Sequence, residues 1–113
     1  MNKLVTALIL SATAFTAQAD VFYRNPISGD KGTYTLIATQ RTAEGTIVAV
    51  SKRSGPSGTG WTRTESNCRT GQMREIGYTE TSVHSIPNDY QSRWFELVQG
   101  SSKSDLFNFL CRR

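Results

Sequence analysis

The stretch from Thr33 to Lys52 carries the clearest pattern of the chain. Tyr34, Leu36 and Ala38 alternate with Thr35, Ile37 and Thr39, and after "RTAEG" a second β-branched run extends from Thr46 to Lys52. A period of two belongs to strands, and β-branched side chains lose rotamer freedom in a helix, so a hairpin turning near Gly45 is predicted. Trp61, Arg63, Glu65 and Asn67 then alternate with Thr62, Thr64, Ser66 and Cys68. A turn near Thr70-Gly71 folds the next strand, Gln72 to Glu80, back on this one, where Arg63 and Glu65 can pair with Arg74 and Glu75 across the ladder. The charged set implies a sheet face open to water and places Cys68 on the opposite, covered face.

The remaining segments are shorter. Asp20 to Lys31 starts with Val21-Phe22-Tyr23 and breaks at Asn25-Pro26 and Ser28-Gly29-Asp30, which reads as an edge strand or a tethered arm. "SGPSGTG", residues 54 to 60, holds three glycines and a proline and is expected to form a flexible exposed loop. Pro87 and Asn88-Asp89 make residues 81 to 93 a loop or short helical turn. "WFELVQ" returns to strand character until Gly100. In "SSKSDLFNFLC", Ser102 and Asp105 have capping-box spacing, and Leu106, Phe109 and Leu110 share one helical face bordered by Phe107 and Cys111. The same residues also alternate as a strand, with the helix favoured. The pattern as a whole predicts an α+β fold: one antiparallel sheet of about five strands with a C-terminal helix packed on one face.

The N-terminus has a different pattern: Lys3, an apolar core from Leu4 to Ala14, then Ala17-Gln18-Ala19. This is the three-part pattern of a secretory signal cleaved after Ala19. The run is too short, and too broken by Thr6, Ser11 and Thr13, for a span of about 20 apolar residues. Residues 1–19 are therefore expected to be a signal peptide and 20–113 a single small domain, periplasmic or secreted. Cleavage removes Lys3 and no acidic residue, so the net charge falls by one from +4. The mature chain stays modestly basic, suited to an anionic surface or an acidic partner.

Two cysteines, Cys68 and Cys111, in an oxidising compartment allow one intramolecular pairing. The loop it closes, about 42 residues, is worth roughly 3 to 4 kcal/mol in the chain-entropy model. The rival readings are a metal site and a reactive thiol; two distant cysteines and one histidine fall short of a four-ligand zinc set.

No G-x-S-x-G, H-E-x-x-H, P-loop or dinucleotide glycine pattern occurs. No catalytic residue, metal or cofactor is assigned. His84 is the sole histidine and lies in a polar loop with Ser82 and Ser85. A small secreted basic ribonuclease is the enzymatic alternative, drawing on Glu65, Arg63, Arg74 and His84. An inhibitor of a secreted enzyme, working through Ser54 to Gly60, is another. The favoured reading is a non-enzymatic binding protein whose candidate surface is Trp61, Arg63, Arg69 and Arg74, residue types that dominate interfaces. Against it stands the plain alternative that Trp61 packs over the hairpin while the arginines pair with Glu65 and Glu75. The partner expected is an unknown protein or an anionic surface, with nucleic acid disfavoured.

Cys68, Trp94-Phe95, Gly100-Ser101-Ser102 and the apolar run from Leu106 to Cys111 resemble, over the last half of the mature chain, small exported bacterial proteins of the surface-adhesin E-like group. The resemblance implies an antiparallel sheet with a C-terminal helix tied to it through Cys68 and Cys111. It also implies a non-enzymatic role, adhesin members binding host extracellular proteins. No cysteine follows the signal to carry a lipid, which favours a soluble state over surface display. No binding residue carries across, because only scaffold motifs match.

Overall fold

The β-branched alternation does build strands. The computed structural model describes residues 16–24 and 29–112; the apolar core of the expected signal lies outside them. Six strands follow one another: β1 (Thr16–Phe22), β2 (Thr33–Arg41), β3 (Ile47–Gly55), β4 (Gly58–Asn67), β5 (Gln72–Thr79) and β6 (Phe95–Glu96). They form one sheet in chain order, each strand antiparallel to the next. Among the described residues one helix, α1 (Ser102–Cys111), follows β6. The fold is α+β, with six strands where about five are predicted, since the segment read as strand or arm does form an edge strand. The expected cleavage point falls inside β1. Its distal side keeps the pairs Val21 with Leu36 and Phe22 with Thr35.

Three local expectations need correction. Residues 54 to 60 are not a free loop: β3 runs to Gly55, β4 begins at Gly58, these two residues face each other, and only Pro56 and Ser57 turn. Gly58 has φ +129°, which a side chain would strain, so glycine here serves a tight turn. The helix cap is Ser101, not Ser102; its Oγ accepts from the Ser104 N–H at 3.1 Å. Asp105 is therefore free of capping duty. Cys68 stands one residue past β4 in the turn to β5 and is exposed, rather than on the covered strand face. It still reaches the helix: the Cys68–Cys111 disulfide joins this turn to the last residue of α1, with Cα atoms 5.6 Å apart.

One face of the sheet carries the core. Leu36, Ile47, Ala49 and Met73 are buried under Leu106 and Leu110 of α1, with Val21, Tyr23, Phe95, Leu97, Phe107 and Phe109 around them. This short apolar stripe is the receptor for the helix. The other face, expected to be open to water, is partly covered. Ile86 folds onto it above Gly77, where an added Cβ would stand 2.5 Å from the Ile86 side chain, and is 6% exposed.

Candidate functional site

Alternation places Ser51 and Arg53 of β3, Gly60, Thr62 and Thr64 of β4, and Tyr78 of β5 on the helix face. The apolar stripe lies toward one end of that face and α1 covers only this end. Beyond the first turn of α1, up to the β3–β4 hairpin, the sheet is bare, and a groove of about 390 Å³ opens there. Its floor is hydroxylated, with Ser51, Thr62 and Thr64. Ser102, Lys103 and Leu106 form the helix wall, Ser57 to Gly60 the hairpin wall, and Tyr23, Tyr34 and Tyr78 stand around the rim.

The start of α1 is fixed from outside the helix. Arg24, its side chain 10% exposed, donates from Nε to Asp105 at 3.1 Å, from Nη1 to Asp30 at 2.6 Å and from Nη2 to the Gly100 carbonyl at 2.9 Å. Its guanidinium also lies 5.1 Å from the centre of the Tyr34 ring. Asp30 is held below the usual carboxylate range, first by the Gly32 N–H and then by the Tyr34 hydroxyl, Arg24 and Arg53. Tyr34 accepts from Arg53 Nε at 2.9 Å and donates to Asp30 at 3.1 Å. Burial pushes the Tyr23 phenol up to about 12, against a smaller opposing effect of its hydrogen bond with Ser51.

The cations on the groove are matched. Arg53 has Asp30 at 3.6 Å, Lys103 has Glu75 at 3.8 Å, and Glu80 accepts from the Tyr78 hydroxyl at 2.8 Å. That bond to Glu80 raises the Tyr78 phenol above its ordinary value. The unmatched group is on the floor: Thr64, 1% exposed, has a buried Oγ1 with no hydrogen-bond partner among the described residues. Thr35 Oγ1 and Ser66 Oγ share that condition but do not line the groove. Most buried polar groups are paired, and leaving one unpaired costs about 1 to 3 kcal/mol.

Of the four residues proposed from sequence, strand register puts Trp61, Arg63 and Arg74 on one face of the sheet and Arg69 in a turn. Arg74 bonds to Glu65 at 2.7 Å, as the facing-strand pattern predicts, and its guanidinium lies 4.5 Å from the centre of the Trp94 ring. Arg63 faces Gly77, not Glu75, and donates to the Pro87 carbonyl and Asn88 Oδ1 at 3.1 and 3.0 Å. Both arginines, with Glu65, border a shallow depression of about 370 Å³ that Trp61 and Arg69 do not line. Trp61 is half-buried between Lys52 and Thr79, and Arg69 sits in the exposed β4–β5 turn. In this depression Glu65 is satisfied on both oxygens, by Arg74 and by the Thr46 hydroxyl at 2.7 Å. His84 is exposed in a single 3-10 turn, Val83–Ser85, flanked by the mutually bonded hydroxyls of Ser82 and Ser85.

The hydroxyl groove is absent from the sequence-level expectation, though it leaves a trace there. Thr62, Thr64 and Ser66 occupy the covered side of β4, where alternation calls for apolar residues. Among the described residues no cluster of three His, Cys, Asp or Glu could hold a metal ion, and no helix is long and apolar enough to cross a membrane. No protein-family model, curated protein or solved structure matches this chain.

Proposed function

We propose that this chain is an exported, non-enzymatic binding protein whose ligand seats in the groove between the first turn of α1 and the β3–β4 hairpin. The observation that carries this reading is the groove itself: an open cavity of about 390 Å³, lined by the polar side chains of Ser51, Thr62 and Ser102 and by Tyr78, which is 46% exposed. Export is supported by the signal-like N-terminus and by the disulfide. The resemblance to surface-adhesin E-like proteins gives the same class of role, recognition without bond-making.

The depression bearing Arg63 and Arg74 is the weaker candidate, because its charged groups already bond to one another and to the Pro87–Asn88 backbone and side chain. The reading is tested by purifying the full chain from cells that export it, identifying what co-purifies by native mass spectrometry, and mapping the contact by amide NMR shifts. Shifts at Thr62, Thr64 and Ser102 are expected. Shifts confined to Arg63, Arg74 and Asn88 would overturn the assignment of the site.

A further inference from the structure

We propose that the groove takes a neutral polyhydroxylated ligand, about one or two sugar rings in size, seated against the ring of Tyr78. This rests on the groove being the binding site and adds the chemistry of its occupant.

The platform is the first observation. Tyr78 lies across the strand from Thr62, and its ring extends over Gly60. A Cβ at Gly60 would stand 2.6 Å from the Tyr78 hydroxyl and 3.0 Å from Cε1, so any other residue there would lift the ring off the sheet. The bond from its hydroxyl to Glu80 fixes the outer edge of the ring. Tyr78 is nevertheless 46% exposed. A tyrosine held against Gly60 and left exposed at the groove offers an aromatic surface whose negative ring face attracts the weakly positive C–H edge of a sugar ring.

Charge is the second observation. An anionic ligand needs uncompensated positive charge, and the groove offers none. Arg53 is matched by Asp30, Lys103 by Glu75, and Glu80 adds a negative charge of its own. What the groove does offer is hydrogen-bonding groups of both kinds: the hydroxyls of Ser57, Thr62 and Ser102, the Glu80 carboxylate and the Arg53 guanidinium. A molecule with adjacent hydroxyls, each both donor and acceptor, answers that pattern without bringing charge into the groove.

The test is an amide NMR titration of the full chain with cellobiose, maltose, N,N'-diacetylchitobiose and galactose, with sodium sulfate as the anionic arm. At least one saccharide is expected to shift Gly60, Thr62, Thr64 and Tyr78 saturably. Tyr78→Ala should weaken that binding by about tenfold or more, while Tyr78→Phe retains most of it. Gly60→Ala should weaken it as well, and thermal melts of each variant establish that the fold survives. Saturable shifts by sulfate with none by the saccharides would overturn the proposal, as would silence of the groove toward all four sugars. A co-purifying ligand of another class, mapped to the groove, would overturn this inference and leave the site assignment standing.

Discussion

Arg24 and Asp105, 81 positions apart, meet with Arg24 Nε 3.1 Å from Asp105 Oδ2, and this contact ties the segment after β1 to the first turn of α1. The same guanidinium holds Asp30 and the Gly100 carbonyl, so one side chain gathers three separate pieces of backbone. Because Asp105 is not needed as a cap, it is available for this bond. The position of the helix start, and with it one wall of the groove, depends on the cluster.

Removing that hub should be costly. Arg24→Ala leaves two carboxylates without their shared cation and is expected to destabilise the fold by about 2 to 3 kcal/mol, read from urea denaturation. Arg24→Lys should recover only part of the loss, because an ammonium cannot present the planar fork that serves three acceptors. Full recovery with lysine would show that charge alone matters.

The disulfide ties the exposed β4–β5 turn to the end of the helix. Cys111→Ala is expected to cost about 3 kcal/mol and to lower the melting temperature by more than about 10 °C. The folded, unreduced protein should show no thiol that alkylates without prior reduction. Two alkylatable thiols in unreduced protein would refute the bridge.

Tyr23 makes stability depend on pH at the alkaline end. Its phenol is raised to about 12 in the folded chain against about 10 unfolded, so between these values the unfolded state gives up its proton while the folded state keeps it. The stabilisation from keeping Tyr23 neutral is intact below about pH 10 and is lost as pH rises toward about 12, on the order of 3 kcal/mol in total. Urea melts across that range should show the decline, and Tyr23→Phe should flatten it.

Thr64→Val measures what the buried, unpartnered hydroxyl costs the fold. Replacing an unpaired buried hydroxyl with a methyl of similar shape is expected to leave stability unchanged or raise it by about 1 kcal/mol. Urea denaturation of both proteins measures the difference. A clear loss of stability would mean that Thr64 is paired within the fold.

The full chain is expected to leave RNA intact. RNA cleavage by the purified protein that disappears in His84→Ala would favour the ribonuclease alternative over the binding reading.

Elements with a local cause could be read from the chain alone. The β2–β3 hairpin, the turn at Gly71 and the cysteine pairing follow from periodicity, turn residues and cysteine number, and all are present. The terminal segment fits both a helix and a strand by its pattern, and its docking on the apolar stripe decides for the helix. Even the Glu65–Arg74 pair was legible, since facing strands in a tight hairpin leave little freedom of register. Long-range placement decided the rest. Whether glycines at 55 and 58 make a loop or a two-residue turn depends on how far the flanking strands continue to pair. Whether Arg63 meets Glu75 or the Pro87 carbonyl depends on where Ile86 docks. The groove depends on how much of one sheet face a ten-residue helix can cover. That extent is set by where the apolar stripe ends, by the disulfide at the last residue of α1 and by Arg24 at the first turn. Those contacts join residues far apart in the chain, so no window of sequence contains them.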